Sequence, residues 1–360
     1  MQKIRKPFIV PVFIPHEGCP HRCIFCDQSA ITGKAGHVPS RESLKEYIDG
    51  YLKYAGPDRY PVQISFYGGT FLGLENETII RLLSLASVYV EQGRAHGIRF
   101  STRPDSVTKE KLDLIQPFPV RTVELGVQSM DDTVLALSNR GHLASHTEAA
   151  ATLLVQRGYE MGLQIMTGLP GDDLQKSQKT VERLSRLKPA FLRIYPVLVL
   201  KGSALARLFL NGQYAPIELH EAVDQVKRLY LYLKGKNIPV IRMGLQASEE
   251  LDNGSVVLAG PYHPSFGHLV FSAIFFDMAV KMLQKETIQG ENKQAVFYVH
   301  SKNISKLRGL KNNNLDVLKA LFHLDSIRVV PDDSLDMEIF KTVNDSMTMT
   351  DLMADQIQVI

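Results

Sequence analysis

The sequence predicts an α/β protein: a partial (β/α)6 barrel of the TIM type over residues 1–245, a connecting turn and helix over 246–294, and a small α/β domain over 295–360. Three observations predict this. Strand-like runs alternate with amphipathic stretches about six times, the pattern of a parallel α/β architecture. Five of these runs end in polar or glycine-rich segments, as strands do at the active face of a barrel. Beyond "GLQASEELDNGS" the character of the chain changes, which sets a boundary near 245–255.

Taken in order, "FIVPVFI" (8–14) leads into "GCPHRC", and "VQISFYGG" (62–69) carries "YGGT" at its end. "GIRFSTR" (97–103) ends in "STRPD", "RTVELGVQS" (121–129) in "GVQS", and "MGLQIMTGLPG" (161–171) in "TGLPG". "FLRIYPVLV" (191–199) is the sixth run. Between them lie "RESLKEYIDGYLKYA", "ETIIRLLSLASVYVEQGRAHG", "HTEAAATLLVQRG" and "LQKSQKTVERLSRLK". Several of these helical patterns stop at glycine, a common helix end. The pattern "IELHEAVDQVKRLYLYLKGKN" (217–237) and the strand "IPVIRMGL" (238–245) complete the barrel side.

The composition is that of an ordinary globular protein, 44% hydrophobic and 22% charged, and supports a sizeable core. A net charge of +3 means that any basic patch is local. Prolines at 7, 11 and 15 break the first apolar run, so no secretory signal is expected. No apolar run is long enough to span a bilayer, so the expectation is a cytoplasmic chain with no membrane partner.

All three cysteines, Cys19, Cys23 and Cys26, fall within "PHEGCPHRCIFCDQ". An odd, clustered set argues against a disulfide framework. A closed zinc site takes four ligands, and His16 or His21 would have to supply the fourth. Iron–sulfur cubanes also normally take four protein thiolates; with three, one iron keeps an open position.

This spacing resembles the radical S-adenosylmethionine (SAM) superfamily, whose defining motif it matches residue for residue. The resemblance implies a 4Fe–4S cluster on Cys19, Cys23 and Cys26, with the amino and carboxylate groups of SAM on the remaining iron. It implies reductive cleavage of SAM to a 5′-deoxyadenosyl radical, fed by an external electron donor such as flavodoxin or ferredoxin. Phe25 would pack near the adenine. Gly68 and Gly69 would bring backbone up to the SAM amino group, since they lack a Cβ. Arg103, beside Ser101, suits a carboxylate, or pairs with Glu124 or Asp105. Glu124, Gln128 and Ser129 follow on the fourth strand, Glu124 serving SAM or a structural hydrogen bond inside the barrel. Gln164 and Met166 face one side, with Gly168 and Leu169 on a backbone edge near the adenine.

Longer stretches resemble the radical SAM domain of the Elongator catalytic subunit. They are "STRPDSVTKEKLDLI", "VELGVQSMDDTVLALSNRGH", "GLQIMTGLPGDD" and "LRIYPVLVLKGSALARLFLNGQYAPI", within residues 8–235. That family modifies a wobble uridine of tRNA, so RNA is the implied substrate. Residues 245–360 show no counterpart of its acetyltransferase domain, and its additional cysteines are missing. The expectation is a short Elongator-like form without acetyl-coenzyme A chemistry. Tyr195 and Lys201 match that family's segment and face either substrate or solvent. Two other readings remain: a radical SAM enzyme acting on a small molecule such as a tetrapyrrole, and a non-catalytic zinc or RNA-binding module.

In the last hundred residues, "PYHPSFGHLVFSAIFFDMAVKML" (261–283) reads as a turn and an apolar helix too short and interrupted for a membrane. His263 and His268 read as packing residues there. Residues 295–331 read strand, short helix, "GLKN" loop, helix, strand, the order of a KH-like RNA-binding unit. Six basic side chains there face two acidic ones, and Lys306, Arg308 and Lys311 are the candidate RNA contacts. The other reading is a small appendage with a solvated basic face.

Overall fold

The computed structural model describes residues 7–27, 38–56, 59–246, 249–285, 293–343 and 345–356. The chain divides by packing into two units, Met1–Pro216 with Gln246–Gly260, and Ile217–Leu245 with Pro261–Ile360. In this division residues 217–245, read from the sequence with the barrel, fall in the second unit.

The first unit contributes six strands: β1 (Phe8–Ile14), β2 (Val62–Gly68), β3 (Gly97–Thr102), β4 (Val120–Gln128), β5 (Glu160–Thr167) and β6 (Phe191–Pro196). They pair in sequence order and all in parallel, the partial TIM-type barrel that the sequence predicts. Helices alternate with them: α1 (Arg41–Leu52), α2 (Asn76–Glu91), α3 (Lys109–Ile115), α4 (Asp132–Leu137), α5 (Ala144–Gln156) and α6 (Leu174–Arg186). Their starts are chemically marked. Ser40, Thr108, Asp131 and Asp173 each accept a first-turn backbone N–H, satisfying one of the orphan donors of a helix start. The short α3 and α4 had no separate signal, because seven and six residues hold too little period to read.

Between strands and helices the core is apolar and close-packed, with Phe71 stacked between Phe66 and Phe100 at 5.1 and 4.5 Å. β4 slips register against β5 between Gly126 and Gln128. There Gln128 takes φ 68°, a left-handed conformation costly for a side chain with a Cβ. The bulge re-aims the end of the strand.

The second unit holds the helices Leu219–Gly235 and Phe266–Lys285 and a four-stranded sheet. In that sheet Gln294–Val299 pairs in parallel with Ser326–Pro331 and antiparallel with Ile339–Lys341. Helix Phe266–Lys285 corrects a sequence expectation: its 20 residues, with a mean hydropathy of 1.5 over an 18-residue stretch, meet the length and composition of a membrane span. What holds it in this unit is packing. Val270, Ile274, Phe275 and Met278 are fully buried, Asp277 takes Lys227 at 2.7 Å, and Ser272 bonds Asn314.

Candidate active site

The three thiols sit in the loop after β1, and main-chain contacts fix that loop. Gly69 N–H donates to Ile14 O at 3.0 Å and Thr70 N–H to Glu17 O at 2.8 Å. A Cβ on Gly69 would collide with the Glu17 backbone, and one on Gly18 with the Thr70 carbonyl. Gly69 therefore makes room for the cysteine loop itself, a role its sequence context did not announce.

A second segment grips the loop from the other side. Asn139 Nδ2 donates to Arg22 O at 2.8 Å, Ile24 N–H donates to Ser138 O at 3.2 Å, and the His21 ring lies against Gly141. Arg140 donates to Cys23 Sγ at 3.1 Å and to Gly126 O, and its Nε donates to His142 Nε2 at 3.3 Å. Burial, then Arg140, drives the His142 pKa down to about 4. Its Nε2 lone pair is therefore free to accept. Arg140 was missed by sequence reasoning because 117 residues separate it from Cys23. The one signal was "SNRGH", a polar segment just after a helix.

Cys23 is buried, and Cys19 and Cys26 are half-buried. Cys19 Sγ lies 3.2 Å from Thr70 Oγ1. Burial pushes its thiol up, while Thr70 and the charges of Arg103 and Arg140 pull it back. Burial, then Cys23 and Cys19, pushes Cys26 up to about 12. Cys23 thus raises the proton affinity of both Cys19 and Cys26, and such crowding is relieved when a metal displaces the thiol protons. Among the described residues no three of His, Cys, Asp and Glu converge on a single-ion site. A cubane, which puts each thiolate on a different iron, asks for no such point of convergence.

Around the thiols the structure brings several expected residues together. Phe25 and Met166 pack on one apolar cluster with Leu169, Val134 and Val197. Gly168, at φ 76°, receives the Asp172 carboxylate on its N–H and the Tyr214 hydroxyl on its carbonyl. Arg103 is held by Asp105 through two bonds of 2.9 and 2.8 Å. Its Nη1, like Gln128 Oε1, is buried with no hydrogen bond among the described residues. A buried unpaired donor and acceptor are what a bound polar cosubstrate would satisfy.

Glu124 has a different character. It is fully buried, and its oxygens take Arg99 at 2.5 Å, Arg193 at 3.0 Å, Tyr67 at 3.1 Å and Gln164 at 3.1 Å. Gln164 also reaches Ser101 at 3.3 Å. Both carboxylate oxygens are engaged, as in the structural reading of Glu124. Tyr195 lies 3.4 Å from Arg193 at the edge of this network.

In the second unit Arg308 and Lys311 are exposed. Lys306 instead donates to Asn303 at 2.8 Å and lies 4.9 Å over the Phe271 ring.

Two family models match this chain, the radical SAM superfamily over residues 13–184 and the radical SAM C-terminal domain over 189–274. An uncharacterized protein of Methanocaldococcus jannaschii is 30% identical, covering 62% of this chain and 70% of its own. The tRNA uridine(34) acetyltransferase of that organism is 27% identical over 60% of this chain and 47% of its own. Elongator complex protein 3 of Saccharomyces cerevisiae is 26% identical over 61% and 47%. The chain spans about half the length of these two named relatives. The solved Elp3 of Methanocaldococcus infernus shares the fold, with a TM-score of 0.58 at 20% identity over 76% of this chain and 63% of that one. The chain belongs to the radical SAM superfamily, on an Elongator-like branch, and is an enzyme whose cofactors are a 4Fe–4S cluster and SAM.

Proposed function

We propose that this chain cleaves SAM reductively and uses the resulting radical to modify RNA, with tRNA as the substrate. The observation that carries the chemistry is one loop presenting Cys19, Cys23 and Cys26 beside two guanidiniums, with an apolar shelf next to it. When bound, the cluster and SAM supply a 5′-deoxyadenosyl radical that abstracts hydrogen. The chain's own residues bind and exclude water. Cys19, Cys23 and Cys26 hold three irons, and this chain has no fourth cysteine for the last. Arg140 keeps positive charge at Cys23, and the unpaired Nη1 of Arg103 takes the SAM carboxylate. Phe25, Met166 and Leu169 cover the adenine. Gly68, Ser101, Gln128, Gln164 and Gly168 line the rest, and Glu124 holds Gln164 in place. A one-electron donor of the flavodoxin or ferredoxin type starts the reaction.

The RNA reading rests on the tRNA uridine(34) acetyltransferase among the relatives, whose named activity concerns tRNA. Anaerobic reconstitution tests the chemistry: uptake of iron and sulfide, then 5′-deoxyadenosine on adding SAM and dithionite, are expected. Zinc uptake with no iron and no cleavage overturns it. Mass spectrometry of tRNA nucleosides from cells with and without the gene tests the substrate. An unchanged profile overturns RNA and points to a small molecule.

A further inference from the structure

The loop Gly309–Asn312 joins two helices that lie between parallel strands, and it is held in an unusual shape. Gly309, Lys311 and Asn312 all take positive φ, at 71°, 51° and 65°. Left-handed backbone is costly at a residue with a Cβ, and such strain clusters at functional segments. Its consequence here is an exposed Lys311 next to an exposed Arg308, and neither makes an ion pair among the described residues. The nearby acid, Asp316, is taken by Lys319 at 2.9 Å.

Large apolar side chains accompany these free cations. Leu310 in the loop is 49% exposed, and Val317 and Leu321 on the following helix are 42% and 55% exposed. Val317 and Leu321 stand one turn apart, while Leu315 and Leu318 of the same helix face the core. Exposed apolar side chains on this loop and helix, together with the unpaired cations and the exposed amides of Asn312 and Asn313 in the same short segment, suit a ligand with flat faces, polar edges and an anionic backbone.

Resting on the RNA reading above, we propose that this loop and the outer face of helix Asn313–Phe322 dock a single-stranded RNA segment. Phosphates lie on Arg308 and Lys311, and bases pack against Leu310, Val317 and Leu321. Lys306, held on Phe271 and Asn303, takes no part.

The test is fluorescence anisotropy with a labelled oligouridine of about twelve nucleotides and a matching RNA duplex, across a salt series. The unaltered chain should prefer the single strand. R308Q/K311Q should weaken binding about tenfold and flatten the slope of log K against log salt by about 1.4, at roughly 0.7 per lost phosphate contact. V317S/L321S should weaken binding several-fold and leave that slope alone. All these side chains are exposed, and thermal melting should show both variants folded. No RNA binding by the unaltered chain, or equal binding by both variants, overturns the proposal. So does a concentration-dependent dimer that only V317S/L321S abolishes, which would give the face to a second copy. Cleavage of SAM by the unaltered chain without RNA is measured separately, so failure of the radical chemistry and failure of this surface stay distinguishable.

Discussion

The thiol loop and the Glu124 centre lie in the same unit and both gather ionisable groups out of water, yet one is open and the other closed. Around Glu124 each carboxylate oxygen has cationic or hydroxyl donors, and Arg99 is covered by the Phe191 ring at 4.6 Å. Around the cysteines, Cys23 raises the proton affinity of Cys19 and Cys26, and Arg103 and Gln128 each leave a buried atom unpaired. Arg99 Nη2 at the Glu124 centre is also buried without a hydrogen bond among the described residues, so an unpaired guanidinium nitrogen does not by itself mark a ligand site. What makes one centre closed and the other open is charge balance: Glu124 meets two guanidiniums, whereas the crowded thiols are relieved only when a metal displaces their protons.

The comparison breaks or holds on four measurements. Cys23→Ala should abolish iron and sulfide uptake and all 5′-deoxyadenosine formation while the chain still melts cooperatively. Glu124→Gln should do the reverse, costing about 3–5 kcal/mol of stability because two buried guanidiniums lose their counter-charge, measured by urea unfolding. Wild-type stability with loss of SAM binding would make Glu124 part of the open centre. Gly69→Ala should displace the thiol loop and sharply lower iron uptake, with far-ultraviolet circular dichroism unchanged; normal iron content would refute the packing role.

The smallest effect concerns Asp172. Burial raises its pKa from 3.8 to about 6, so the folded state holds the proton more tightly than the unfolded one. The associated stability is complete below about pH 4 and is lost as pH rises through about 6. One oxygen of Asp172 accepts both Gly168 N–H and Ser177 Oγ–H, and an amide oxygen can do the same. Asp172→Asn should therefore match the parent near pH 4 and exceed it at pH 8 by up to about 3 kcal/mol. Equal melting at both pH values would show that the carboxyl is not desolvated.

The strands were legible because each carries an apolar run of the right length: "FIVPVFI" coincides with Phe8–Ile14. The gathering of Met166 and Leu169 was legible too, since both stand at or just beyond the end of β5, whereas Phe25, deep in the loop after β1, was placed with them only by the family resemblance. The register slip at Gly126–Gln128 was not, because nothing in "ELGVQS" distinguishes a bulge from a straight strand. Arg103 was read as meeting the SAM carboxylate or pairing with Glu124 or Asp105; the pairing with Asp105 depended on a 3-10 turn, Pro104–Ser106, that brings the two together. Lys306 looked like its basic neighbours; only the helix Phe266–Lys285, remote in sequence, supplies the ring that captures it.

The glycine interlock has a consequence for anyone wishing to move this chemistry to another scaffold. Gly18 abuts Thr70 and Leu74, Gly69 abuts Glu17, and Gly73 abuts Gly18. The loop that carries the thiols and the turn after β2 are one piece of interleaved main chain, joined also by the Cys19–Thr70 side-chain contact. Grafting "GCPHRCIFC" alone would transplant the ligands without their mould. The smallest portable unit is the segments 15–27 and 67–74 with 138–141, which grips the loop from the other side, together with the parallel strands that set their spacing.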